Sequence, residues 1–262
     1  MLPHPFKVIL FTLSVLVGAN AKAGSCPHIQ APEGPYGIQL QGSLVDGKPY
    51  AAVGSASIHQ STFTLHLTAS EAGSIIKKTI LGTVSVVDCE LNLAGSGVDL
   101  GFVLKGQIAE RGKEIFVTAI QPAQPIVASG TMRPRLLRRC SNNTLKGTFT
   151  YISQGFDRVG TGTNVQWAPI GKIGDERFDG KGCSVYKESI KQGIHFSEAE
   201  GPLKYRVSED CTFELLDQGE PAFLGVIVDN GQVMPYLKLV DGAVRLGEYT
   251  RIDHSSTPLN CP

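Results

Sequence analysis

The sequence predicts an all-β protein built as two tandem small antiparallel β-barrels, each eight-stranded and up-and-down, and three observations carry that expectation. Alternating apolar and polar residues recur in short runs, among them Phe63-Thr-Leu-His-Leu67, Glu114-Ile-Phe-Val-Thr118, Gly147-Thr-Phe-Thr-Tyr151 and Tyr236-Leu-Lys-Leu-Val240. That is the pattern of strands with one buried and one wet face. Asp46-Gly47, Asp229-Asn-Gly231 and Asp241-Gly242 stand between such runs, and these residue types tolerate the positive φ of tight hairpin turns. One hairpin is also written twice, as Thr83-Val-Ser-Val-Val-Asp-Cys89-Glu-Leu-Asn-Leu93 and Lys204-Tyr-Arg-Val-Ser-Glu-Asp-Cys211-Thr-Phe-Glu-Leu-Leu216.

The chain opens with Met1-Leu-Pro-His-Pro-Phe-Lys7, an apolar run from Val8 to Val17 and the small-x-small end Ala21-Lys22-Ala23. These are the parts of a secretory signal peptide, residues 1–23, with cleavage expected after Ala23. The apolar run is about half the ~20 residues that a membrane span needs, so a secreted or periplasmic location without a transmembrane segment is expected. Cleavage removes Lys7 and Lys22 from 24 basic side chains set against 24 acidic ones, leaving a net charge of −2. Such a chain has no global field for holding nucleic acid.

The duplication divides the rest into a first barrel over 24–131, a solvated basic connector over 132–139 (Met132-Arg-Pro-Arg-Leu-Leu-Arg-Arg139) and a second barrel over 140–262. Cys26 matches Cys140, Asp88-Cys89 matches Asp210-Cys211, and Gly130-Thr-Met matches Gly247-Glu-Tyr. In the second copy strands are expected near 145–153, 164–173, 183–191, 203–208, 212–216, 222–229, 232–240 and 244–251. Up-and-down order then places Cys140, Cys183, Cys211 and Cys261 at one end of the sheet, as disulfides require. All six cysteines lie in the exported part, and an even number there reads as disulfides. No cysteine spacing suits zinc. Repeat symmetry pairs Cys26 with Cys89 and Cys140 with Cys211, leaving Cys183 for Cys261. The rival set joins Cys183 to Cys211 and Cys140 to Cys261.

Gly147-Thr-Phe, Phe178-Asp-Gly-Lys-Gly182, Tyr205-Arg-Val-Ser-Glu-Asp-Cys211 and Gly247-Glu-Tyr249, in that order, resemble exported bacterial proteins with small lipocalin-like, allene oxide cyclase-like barrels of the calycin type. The resemblance covers residues 140–255 well and 26–133 poorly, since the first copy lacks the Asp-Gly-x-Gly turn. It implies fold and transfers no catalytic residue, because the matched positions are turn and strand residues.

Reaction motifs are missing from the sequence: no Gly-x-Ser-x-Gly elbow, no phosphate-binding Gly-x4-Gly-Lys-Ser/Thr and no His-Glu-x-x-His. His59 and His66 are spaced for opposite faces of a continuous strand. His195 with Glu198 and Glu200 reads as a hydrated turn before it reads as a proton-moving or metal site. Asp175, Glu176 and Asp179 crowd one loop as a conceivable carboxylate pair or calcium site. Alternation puts Tyr205 and Val207, Phe213 and Leu215, Leu237 and Leu239, and Val244 and Leu246 on one inner face, with Glu214, Lys238 and Arg245 outside. Tyr205, Phe213, Leu237 and Leu246 would then line an apolar interior. The sequence therefore reads as a non-catalytic module for a small apolar ligand or a surface protein, without cofactor or metal. The alternative is a cyclase- or isomerase-like enzyme using the barrel cavity, and a convergent polar cluster facing inward would distinguish it.

Overall fold

The computed structural model describes residues 32–109, 112–120, 126–160, 165–255 and 259; the leader over 1–23, Cys26 and Cys261 lie outside the described residues. The first barrel contains β1 (Gly34–Leu44), β2 (Pro49–His59), β3 (Thr62–Glu71), β4 (Ser74–Val87), β5 (Glu90–Gly95), β6 (Val103–Ala109), β7 (Glu114–Ala119) and β8 (Ile126–Pro134). The second contains β9 (Gly147–Val159), β10 (Gln166–Phe178), β11 (Cys183–Gln192), β12 (His195–Val207), β13 (Thr212–Asp217), β14 (Glu220–Val226), β15 (Val233–Lys238) and β16 (Ala243–Asp253). Each strand pairs with the next, β8 returns to β1 and β16 returns to β9, so both sheets close as eight-stranded up-and-down barrels. Closure removes the exposed sheet edges that would otherwise invite pairing with other chains.

The duplicated anchors occupy equivalent places. The Asp-Cys turn precedes the fifth strand of each barrel, β5 and β13, and the glycine anchor lies in the eighth, β8 and β16. Asp88, Cys89 and Cys211 all take left-handed backbone conformations, with φ of 50°, 68° and 64°, which is what reverses the chain so abruptly. In the second copy the Asp210 carboxylate accepts from the Thr212 amide at 3.1 Å and its hydroxyl at 2.7 Å, an Asp side chain standing in for backbone partners at a turn.

Cys140 and Cys211 are bonded to each other, which excludes the set joining Cys183 to Cys211. Cys89 and Cys183 each take part in a disulfide as well; the pairings expected for them, with Cys26 and Cys261, reach outside the described residues. The basic stretch begins inside β8, where Met132 is fully buried and Arg133 pairs with Glu114 at 2.7 Å and Glu248 at 2.6 Å.

Three apolar clusters follow from the two closed sheets. The first barrel is filled by its own side chains, including Ile38, Leu65, Leu91, Leu104, Ile115 and Met132. The second holds an aromatic cluster at its disulfide end, with Phe149, Phe178, Tyr205 and Phe213 packed beside Cys140 and Cys211. The third lies between the barrels and joins Ala51 and Val53 of β2 to Val226, Val228, Leu237, Val244 and Leu246. Residues 49–54 of β2 are buried without interruption, as expected of a strand covered on both faces.

That third cluster corrects the expected inner face of the second barrel. Leu237, Leu239, Val244 and Leu246 point outward against the first barrel, while Met234 and Tyr236 point inward. Lys238 and Arg245, expected outside, lie on the inner faces of β15 and β16, with Arg245 bonded to Asp157.

Candidate functional site

Inward positions of the second barrel form three tiers. Nearest the disulfide the floor is aromatic: Phe149 meets Phe178 edge-on at 5.4 Å, and Phe178 meets Tyr205 at 5.1 Å. Arg251 lies over the Phe149 ring at 4.4 Å and donates to the carbonyls of Thr144 and Gly231, closing that end. Edge-to-face packing of this kind adds to plain area burial.

Above the floor stand Tyr151, Tyr236 and Tyr249, whose rings lie within 5 Å of one another in the pairs Tyr151–Tyr249 (4.9 Å) and Tyr236–Tyr249 (4.8 Å). The hydroxyls of Tyr249 and Tyr151 meet two carboxylates brought in by β10 and β11, while that of Tyr236 bonds with Ser153. Glu176 is 1% exposed and is held by the Tyr249 and Ser184 hydroxyls, each at 2.5 Å. Burial outweighs those two bonds and pushes its carboxyl up to about 7, with the charge of Glu188 pushing the same way. A neutral carboxyl has a proton to donate, and Ser184 can receive it by turning its own hydroxyl to the Leu203 carbonyl at 3.5 Å. Tyr249 is raised well above the usual phenol range by burial and by Glu176, so it remains a hydroxyl donor. Glu188 accepts from Tyr151 at 2.7 Å and from Lys172 at 2.6 Å.

The third tier faces the turns that join β9 to β10, β11 to β12, β13 to β14 and β15 to β16. Arg245 donates through Nε to Asp157 at 2.6 Å and through a second nitrogen to the other carboxylate oxygen, the two-point fit that a planar guanidinium makes. Lys238 stands between this pair and the Lys172–Glu188 pair and makes no ion pair among the described residues. Burial, then the neighbouring charges of Arg245 and Lys172, lower its ammonium to about 8 despite Asp157 and Glu188. Opposite it on β14 stands Phe223, whose ring packs on Tyr236 at 5.7 Å. Solvent reaches this tier: the side chains of Asp157 and Lys172 are 18% and 16% exposed.

The residues singled out from sequence are distributed otherwise. Tyr205 and Phe213 belong to the aromatic floor, and Leu237 and Leu246 to the seam between barrels, so the four do not line one surface. Asp175 points outward, Glu176 inward, and Asp179 accepts the amides of Lys181, Gly182 and Cys183 at 2.7, 3.0 and 3.0 Å. His195 starts β12, where odd and even positions face opposite ways, and thus points away from Glu198 and Glu200. His59 binds Glu33 at 2.8 Å and His66 binds Thr79 at 3.0 Å, each on its own strand. Asp157, Lys172, Ser184, Glu188, Lys238, Arg245 and the tyrosine triad were missed. Their signal is the inward register of Lys172-x-Gly-x-Glu176-x-Phe178, Ser184-x-Tyr-x-Glu188 and Arg245-x-Gly-x-Tyr249, which becomes visible once the aromatic member of each run is assigned to the interior.

No family model and no curated protein matches the chain. Solved structures similar to it include kievitone hydratase from Nectria haematococca, with 7% identity, 84% of this chain and 89% of that chain covered, and a TM-score of 0.29. A protein described as an AttH from Nitrosomonas europaea aligns with 9% identity over 89% of this chain and 98% of its own, also with a TM-score of 0.29. Likeness at this level says nothing about activity.

Proposed function

We propose that the second barrel binds a small organic acid, with the carboxylate at the cationic tier and the organic body toward Phe223 and the tyrosines. The observation that carries this reading is the charge imbalance of the inner tier. Lys172, Lys238 and Arg245 converge on Glu188 and Asp157, and with Glu176 neutral below its raised pKa one positive charge is left over, on Lys238, the one of the three cations without an ion pair among the described residues. A partly desolvated cation gains from an anionic ligand more than an exposed one does. The apolar ligand expected from the sequence gives way to an amphiphilic one, since the interior above the floor is polar. Resemblance of residues 140–255 to exported calycin-type barrels supports the architecture of such a pocket, and export remains part of the proposal.

Calorimetric titration of the full chain with benzoate and with benzylamine tests this. Benzoate binding without benzylamine binding is expected, with Lys238→Met weakening benzoate about tenfold, roughly 1.4 kcal/mol. Equal affinity for the two compounds, or benzoate binding indifferent to Lys238, refutes the reading.

A second reading, proton transfer of the cyclase or isomerase type, is favoured by the presence of a carboxyl near 7 and an amine near 8 on the inner faces of one barrel, both within the field of Glu188. Groups whose environments bring them close to neutrality suit acid–base work. Its test is turnover of a bound organic acid with a bell-shaped pH profile, whose acid limb disappears in Glu176→Gln.

A further inference from the structure

We infer that the first barrel is the positioning device of the pocket in the second, acting through β16 and the β15–β16 turn. This rests on the pocket reading above and concerns what keeps its residues in place. Strand β16 has two working faces. Arg245, Gly247 and Tyr249 look into the second barrel, while Val244, Leu246 and Glu248 look at the first.

The outward face is held at both ends by side chains of the first barrel. At one end the Ser70 hydroxyl, fully buried, donates to the Ala243 carbonyl at 2.8 Å. The adjoining turn is gripped as well, since the Gly242 amide donates to the Gly73 carbonyl at 3.0 Å. At the other end Glu248 accepts from Arg133 at 2.6 Å and from Gln39 at 3.1 Å. Arg133 is itself fixed by Glu114. Val244 and Leu246 fill the stretch between these grips, packed in the seam with Ala51 and Val53.

Strand geometry converts this grip into control of the pocket. Successive side chains alternate across the sheet, about 3.3 Å apart along it, so a shift of the outward residues carries Arg245 and Tyr249 with it. Ala243 is also the register partner of Asp157, the carboxylate that Arg245 holds. The Ser70 bond therefore acts on the strand that carries Arg245 next to its partner, and the Arg133 bond acts beside Tyr249. Sites keep their geometry when the supporting contacts are themselves locked. Ser70 and Arg133 are thus positioning residues, each touching the strand that carries the site rather than any ligand.

The experiment uses the full chain and three variants, Ser70→Ala, Arg133→Gln and Ser70→Thr, the last keeping the hydroxyl. Two readouts are taken beside thermal stability: the titration midpoint of the Lys238 amine by NMR with labelled lysine, and the dissociation constant for benzoate. Positioning predicts that Ser70→Ala and Arg133→Gln move the Lys238 midpoint upward, toward that of a free lysine, and weaken benzoate about five- to tenfold, a coupling within the usual range between linked sites. Ser70→Thr should restore both. If the variants lower the melting temperature while the Lys238 midpoint and benzoate affinity stay at wild-type values, the first barrel is glue and the inference is overturned. A Lys238 midpoint that moves in a protein that does not bind benzoate at all leaves positioning standing and removes the ligand reading instead.

Discussion

Glu176 is buried among hydroxyls with its carboxyl pushed up to about 7 from 4.5, and the consequence for stability has a definite sign. Between about pH 4.5 and 7 the unfolded chain loses this proton while the folded protein keeps it, so the contribution of Glu176 to stability falls as pH rises. Above 7 both states are ionised and the decline stops. Replacing Glu176 with Gln preserves the volume and removes the titration. The expected result is a stability profile measured by urea unfolding that is flatter between pH 5 and 7 than that of the parent, with the variant gaining relative stability at the upper end. An unchanged slope would mean that the carboxyl is ionised throughout this range. At the same scale Tyr249 supplies a hydroxyl to that carboxyl, so Tyr249→Phe should raise the Glu176 midpoint further, which carbon-detected NMR of the carboxyl would read.

At the scale of elements, β14, β15 and β16 are the strands whose two faces do different things. Leu237 is fully buried, yet it packs in the seam and not in a barrel core. Leu237→Ala should cost about 2–5 kcal/mol, as other buried leucine truncations do. By contrast Ile152 and Ile173, a cross-strand pair on the outer face of β9 and β10 that is about 60% exposed, should tolerate alanine within about 0.5 kcal/mol, the usual range for surface changes. Chemical denaturation of the two sets separates a buried seam from a wet surface: a cheap Leu237→Ala would show that the barrels do not press on one another. Alternation in these strands was legible from the start, as Leu237 with Leu239 and Val244 with Leu246 do share a face. Which face is interior was not, because a period of two makes both faces equivalent until something covers one of them. The first barrel covers the outward face here, which makes Leu237, Leu239, Val244 and Leu246 look like core residues in the sequence.

At the scale of the molecule, the seam predicts how the two barrels part. Arg138 and Arg139 are exposed in the link between β8 and β9, so trypsin should cut there first if the barrels are units joined by a connector. The nicked pieces are nevertheless expected to elute together in native gel filtration and to separate in denaturant, because the apolar seam and the Arg133–Glu248 pair are not broken by the cut. Separation under native conditions would contradict the seam. Removing the Cys140–Cys211 bond, which spans 71 residues, should lower stability by about 2–5 kcal/mol, seen as a lower urea midpoint for the double serine variant at unchanged secondary structure.

What the sequence alone determined is what local chemistry controls: strands from alternation, turns from Asp, Asn and Gly, and the duplication from the repeated Asp-Cys hairpin. The closure of each eight-stranded sheet follows from these, and so does the gathering of Cys140 and Cys211 at one barrel end, while the structure chose between the two pairings. The tertiary structure decided the rest. Two barrels pressed together bury the outside of β14–β16, so hydrophobicity marks the seam as strongly as it marks a core, and the inward positions were free to carry Lys238, Arg245 and Tyr249. The partners of Arg245 and Tyr249 come from β9 and β10, 88 and 73 residues away along the chain, and only closure of the barrel sets them within bonding distance. A polar residue in an alternating strand looks the same whether it meets water or a buried counter-charge, and the difference is made by what the fold places opposite.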